Sequence, residues 1–445
     1  MSSKTLNLLT AAAIFLSSSV AVALPFSSFD SRSMAMGGAG VAVGGVEAAP
    51  LFNPALLSVA KDDDHFGLIL PTIGIRIADP DKLRDSIDAF QAGNYVNNLT
   101  NSISTLNSAI TTANATPTAP NIAAVQSAAL VASGDLSKIS TQLLTLSNKP
   151  ITVDGGIATV VGIPSKNFGV AFYANGIVAT GGLFIYSAAD STLINNLAVQ
   201  AAACSTTPST CTTALTTFNT TTLTSGISFR GATLVEFGFS LSREFKILNH
   251  DIALGITPKI IRAQLFDVPI SVNNSNQSNV SSADYMAEYK VANFDLGAAK
   301  NYGNGWRTGL VIKNVIPQAL DFKRAPTLGV GATPVATGDQ LILKPQARIG
   351  VSHENGWSTL ALDVDLTRND PAGFEKATRY IALGGELNAF GWAQLRAGYR
   401  LDTENSARNV ASVGLGISPF GIHADVAVAG NANEVGASFQ LGFHF

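Results

Sequence analysis

Chemistry is carried by few residue types, and this chain scatters them. Its five histidines (His65, His250, His353, His423, His444) sit on separate segments with no shared spacing. No H-E-x-x-H pair offers a metal site, and no G-x-S-x-G turn offers a nucleophile. The glycine run from Gly37 to Gly45 lacks G-x-G-x-x-G spacing and follows no strand, so it does not read as a phosphate loop. Asp62, Asp63 and Asp64 are followed by no oxygen-ligand pattern and read as a solvated turn rather than a calcium loop. The sequence thus points to no catalytic group, metal or cofactor. Its thiols are Cys204 and Cys211, close together in a Thr/Ser-rich segment with no histidine nearby. That spacing reads as a local disulfide pinning a loop.

What remains is charge in register. Arg348, Asp363, Asp365, Glu386, Arg396, Arg400 and Asp425 all fall on the polar face of alternating segments, as do Glu236, Glu288, Lys290, Asp295 and Lys313. A charge facing lipid near mid-bilayer costs roughly 2–4 kcal/mol for Arg or Lys. These side chains are therefore expected to line a lumen. An open ion-selective pore shows one dominant sign; both signs together suit pairs across the lumen, or a filled one. Glycines on the same face (Gly350, Gly384, Gly398, Gly414, Gly416, Gly436, Gly442) leave room for something bulky inside.

The elements that position these charges are strands. Leu360, Leu362, Val364 and Leu366 alternate with Ala361, Asp363 and Asp365, and the pattern returns through Val435, Ala437, Phe439, Leu441 and Phe443. Successive side chains on a strand face opposite ways, so each segment has one greasy and one polar face. Turns such as Glu354-Asn355-Gly356 separate them into antiparallel hairpins. About fourteen such strands follow one another, with long loops and short turns alternating, as outer-membrane barrels have them. Ile260-Ile261 and Ala292-Asn293 break the apolar rhythm and are expected to mark bulges.

Composition agrees. Hydrophobic residues make up 46% of the 445, charged residues only 13%, and the net charge is -3, which gives nucleic acid no electrostatic footprint. No internal stretch runs apolar for the eighteen or so residues of a membrane helix. At the start, Lys4, an apolar run from Leu6 to Val22, and Ala21-Val22-Ala23 have the anatomy of a secretory signal peptide. The expected organisation is a signal peptide over 1–23, an N-terminal hatch over 24–63 and a barrel over 64–445. Within the barrel, an insertion over 78–150 changes to helical period. Leu99, Ile103, Leu106 and Ile110 form one segment, Ile122, Val125 and Ala129 a second, and Leu136, Ile139, Leu143 and Leu146 a third capped by Asp135. It suits a lid on the barrel mouth or a docking module. Residues 186–226 read as a long Thr/Ser-rich loop.

Two stretches carry a family resemblance. Ser31-Arg32-Ser33-Met34-Ala35-Met36-Gly37-Gly38-Ala39, leading to Phe52-Asn53-Pro54-Ala55-Leu56, resembles the hatch of FadL-like outer-membrane proteins. Gly384-Gly385-Glu386-Leu387 followed by Leu395 to Arg400 resembles that family's late strands. The nearest branch is the TraF-type group of conjugal transfer proteins. The resemblance implies an all-β, outer-membrane antiparallel barrel of about fourteen strands whose N-terminal hatch, with Phe52, Asn53, Pro54, Ala55 and Leu56 beside a ligand, sits in the lumen. It implies membrane lipid as surroundings and either of two roles. One is passive transport of small hydrophobic molecules. The other is a non-transporting part of a transfer or secretion assembly, with envelope or transfer-apparatus proteins as partners.

Overall fold

The structure is a computed structural model that describes residues 29–59, 65–208, 211, 218, 223–271, 285–324 and 335–444. The expected signal peptide and the Asp62–Asp64 turn lie outside the described residues.

The strands are β1 (Gly67–Ala78), β2 (Pro150–Ile163), β3 (Gly169–Ile185), β4 (Gly226–Ile247), β5 (His250–Ser271), β6 (Met286–Asn301), β7 (Trp306–Lys313), β8 (Gln318–Arg324), β9 (Val335–Leu343), β10 (Gln346–Glu354), β11 (Ser358–Asp365), β12 (Tyr380–Ala389), β13 (Ala393–Asp402), β14 (Val410–Ile417), β15 (Ile422–Gly430) and β16 (Glu434–His444). Fourteen of them close into one antiparallel barrel in chain order, sealed by β1 against β16; β8 and β9 form a separate hairpin.

The pleat decides what faces where. Ile73, Ile75, Leu360, Val428 and Val435 point outward, and their exposure runs from 48% at Ile73 to 61% at Leu360. A continuous apolar belt of this kind is far larger than the patches soluble monomers tolerate, and lipid is the solvent that suits it. All three tryptophans, Trp306, Trp357 and Trp392, sit with Phe168, Phe390 and Phe420 at the short-turn rim, exposed there. That is an aromatic girdle at a membrane interface. The tightest turn is Leu248-Asn249, both residues at positive φ (49° and 62°), the backbone of a two-residue hairpin.

Helices occupy the long-loop side. Helix α1 (Leu83–Ala92) leads into α2 (Tyr95–Ala115) and α3 (Ala119–Leu146), and α4 (Ala188–Thr206) joins them from the loop after β3. Leu106, Val125, Leu136, Ile194 and Leu197 build a core of their own. Two expectations are corrected here. Residues 119–146 are one helix, not two: Val125, Ala129, Ala132, Leu136 and Ile139 keep one unbroken seam through Gly134, and Asp135 pairs with Lys138 at 3.5 Å instead of capping. The supposed loop holds α4. Cys204 at its end is bonded to Cys211, Cα atoms 4.9 Å apart.

The expected bulges at Ile260-Ile261 and Ala292-Asn293 are absent: β5 pairs with β6 in one unbroken register from Ala253 to Phe266. What changes there is chemistry, not pleat. Ile261, Ala263 and Leu265 face inward beneath Leu320, Phe322, Leu341 and Leu343 of the β8–β9 hairpin, while Arg262 and Lys290 face out. The strands outrun the bilayer, so the inner face becomes a small dry core and the outer face turns polar. Glu288 and Lys290 accordingly lie outside the barrel, exposed, and not in the lumen. Among the described barrel strands the register shifts in β1, at Leu70-Pro71, and the separate hairpin shifts between Asp321 and Lys323 of β8.

Candidate functional site: a filled lumen and an opening in its wall

Residues 29–59 lie inside the barrel, nearly all buried. A short helical turn over Ser31–Ala35, another over Ala49–Phe52 and a 3₁₀ turn over Pro54–Ser58 are joined by glycine-rich turns. The segment is too short of side-chain bulk to fill a lumen alone, so the wall comes to it. A Cβ on Gly398 would lie 2.1 Å from Gly37 N, and one on Gly384 2.4 Å from Met36 Cβ. Gly350 and Gly414 likewise abut Val41 and Ala35, whereas Gly416, Gly436 and Gly442 face barrel residues instead. Gly37, at φ +71°, turns the chain where it touches the β12 and β13 backbones.

Phe52, Asn53, Pro54, Ala55 and Leu56 are fully packed. Asn53 is a fixture. Its Nδ2 donates to Val41 O and to Ala298 O of β6, both at 3.1 Å, and its Oδ1 accepts from Ala55 N. Gly297 leaves the space it fills: a Cβ there would sit 2.1 Å from Asn53 Oδ1.

The luminal charges hold this segment or one another. The Arg32 guanidinium grips Glu386 through two bonds of 2.8 Å, and Arg396 bridges Glu386 (2.6 Å) to Asp425 (2.5 Å). Asp363 accepts Gly40 N and Val41 N at 2.8 and 2.9 Å. Arg348 joins Asp365 at 2.6 Å and donates to Gly38 O. Nearer the long loops, Arg400 pairs with Glu434, which also meets Arg76. Among the described residues no group of three or more His, Cys, Asp or Glu could hold a metal ion.

With the axis filled, the gap is sideways. Between β4 and β5 the ladder pairs Gly238 with Lys259 and Leu241 with Ile256, but the two positions between drop out. Pro258 sits there and has no N–H to give. Over this gap an apolar cavity of about 730 Å³ opens to the outside, walled by Phe172, Phe237, Phe239 and Ile260 and floored by Tyr173 and Lys259. Lys259 is neutralised by Glu236 at 3.2 Å and Asp295 at 3.0 Å. Tyr173 links the two regions: it lines the cavity and packs with Val41, Leu51 and Phe52 of the inner segment. Gly238 makes room for its ring, since a Cβ there would lie 2.1 Å away. Sequence reasoning places an irregularity two residues away at Ile260 but passes over Pro258 itself; a proline inside a central strand is the signal.

Two solved structures are similar to this chain. A Pseudomonas aeruginosa FadL homologue is 11% identical, with 96% of this chain and 99% of that one aligned at a TM-score of 0.50. The Pseudomonas putida toluene transporter TodX is 12% identical over 93% and 98%, at 0.47. No functionally curated protein sequence matches. The family profile described as "F plasmid transfer operon, TraF, protein" matches residues 50–365, well over half of the chain. The chain therefore belongs to that TraF family, folded as a closed fourteen-stranded antiparallel barrel.

Proposed function

We propose that this protein sits in the outer membrane, lets small hydrophobic molecules cross passively, and releases them sideways into the bilayer. The observation that carries this reading is the apolar opening beside Pro258, next to a lumen whose axis is filled. A greasy solute gains nothing from a polar exit, whereas Phe52 and Tyr173 carry apolar packing from the inner segment to the wall, beside the paired Lys259. Residues 29–59 then act as the hatch, and Tyr173 as the partition between hatch and opening. The reading includes no enzymatic step.

Uptake of a radiolabelled alkane or fatty acid by cells with and without the protein tests it. Ala292→Trp, which projects from the exposed face of β6 into the opening, is expected to reduce uptake to that of cells lacking the protein. Uptake that Ala292→Trp leaves unchanged would remove the lateral route.

A second reading, a component of a conjugative transfer or secretion assembly, draws on the family description and on one surface. Leu130, Val131 and Val199 stand exposed on the helical cap, from 55% at Val131 to 69% at Val199. Cross-linked pull-down with residues 83–146 replaced by a short linker tests it; an unchanged set of envelope partners would count against it.

A further inference from the structure

The outer surface just above the wall opening carries a second pattern. Strand register lines up outward side chains of β4, β5 and β6 in rows. One row is Phe237, Ile260 and Ala292; the next, towards the long loops, is Val235, Arg262 and Lys290. Arg262 and Lys290 are directly opposite each other and both exposed. Like charges directly opposite on neighbouring strands repel. Neither makes an ion pair with a described residue. Glu288, the next outward residue on β6, accepts from the neutral Gln264 Nε2 at 2.7 Å and forms no ion pair with either cation, so the cluster keeps a net positive charge. On the far side of Lys290, β7 pairs with β6 only from Leu296 onward, and residues 315–316 follow the β6 edge as far as Asn293 without an ion pair to Lys290.

The position of the pair says what would relieve it. Outward residues change there from apolar (Leu254, Ile256, Ile260) to polar (Arg262, Gln264), a polar band above the lipid-facing rows, with Phe229 and Ile227 of β4 apolar and exposed beyond it. Long loops face outward in such barrels. An anion held there with its tail pointing down the wall meets two cations at the head and an apolar groove below. A guanidinium fork beside an ammonium suits a phosphate, which offers several acceptor oxygens. The outer leaflet supplies that chemistry in lipid A, which carries phosphates on a multiply acylated sugar.

We propose that Arg262 and Lys290 bind a phosphate of lipid A while one of its acyl chains occupies the apolar opening between Phe237 and Ala292. The site rests on the outer-membrane placement above but not on transport, so cargo uptake can fail while lipid stays bound. A resident chain stoppers the opening from outside and is what a departing solute displaces.

The test uses the full chain purified in detergent, offered diphosphoryl or fully dephosphorylated lipid A and read by native mass spectrometry. Retention of one diphosphoryl molecule per barrel is expected, roughly tenfold or more above the dephosphorylated form, the scale of two cations near an anionic surface. Arg262→Gln with Lys290→Gln should abolish that preference. Arg243→Gln, which removes an exposed arginine at the short-turn end of β4, should leave it intact. Heat-modifiable migration on a gel confirms that each variant is folded. Equal retention of the two lipids, a preference that survives the double substitution, or displacement by an equal concentration of palmitate would overturn the assignment.

Discussion

At the scale of single residues, the strongest constraints are charges whose partners lie hundreds of positions away in sequence. Arg32 reaches Glu386, and Glu386 is shared with Arg396. Glu386→Gln strands the Arg32 guanidinium and leaves Arg396 to Asp425 alone; breaking such a buried pair costs about 3 kcal/mol, the low end of the usual range because Arg32 is 24% exposed. The expected outcome is a lower unfolding midpoint and ion leakage across planar bilayers as the inner segment loosens. Silent membranes with Glu386→Gln would show that this grip does not hold the lumen shut. In the cap, Asp190 accepts from Thr224 N and Ser225 N at 2.8 and 2.6 Å. Burial pushes its carboxyl up, but the hydrogen bonds from Ser225 and Thr224 outweigh it and hold it below the ordinary range. A depressed carboxylate contributes stability above its unfolded pKa and loses it as pH falls through the folded one. The cap is therefore expected to loosen only below about pH 4, and Asp190→Asn should flatten that dependence in helical circular dichroism. The disulfide closes a separation of seven residues, so reduction should cost the cap about 2 kcal/mol by loop entropy, read as a lower cap melting temperature.

At the scale of elements, legibility follows the pleat. Strands such as β11 and β16 alternate over their whole length because lipid on one side and a charged lumen on the other leave no third option. Strands β5 and β6 mislead for the same reason in reverse. Alternation reports which solvent lies on each face, and their upper halves exchange lipid for water outside and lumen for hairpin inside. The β8–β9 hairpin is hidden because Pro326 and Pro334 and the glycines between its strands read as loop. Helix α4 is not hidden by lack of signal. Asp190, Ile194, Leu197, Ala201 and Cys204 recur at helical spacing, but threonine and serine further along draw the whole stretch into one loop. The candidate wall opening is half legible: its residues stand out in the sequence, its cause does not. Pro258→Val restores the missing donor to the β4–β5 gap, and the expected result is a closed ladder with slower uptake. Hydrogen exchange at the newly introduced backbone amide that stays as fast as at an open position would show that the gap has another origin.

At the scale of the molecule, two cores with different solvents share one chain. The helical cap is a conventional dry core in water. The barrel is inverted, with its apolar residues outside and its ion pairs inside. The hairpin cluster beneath Phe322 joins them where membrane ends. Phe322→Ala should cost about 3–5 kcal/mol of hairpin docking and raise hydrogen exchange over 335–343, while the lipid-facing strands stay protected.

The seal of β1 against β16 also dictates an order of events. The segment that ends up innermost precedes the first staple of the cylinder, and that staple needs the last strand to complete it. The cylinder must therefore be wrapped around its contents, because a finished wall has no door wide enough to admit about thirty residues of backbone. Refolding should show it. A peptide spanning 29–59, mixed with the rest of the chain before dilution from urea, is expected to be captured; added an hour later, it should stay outside.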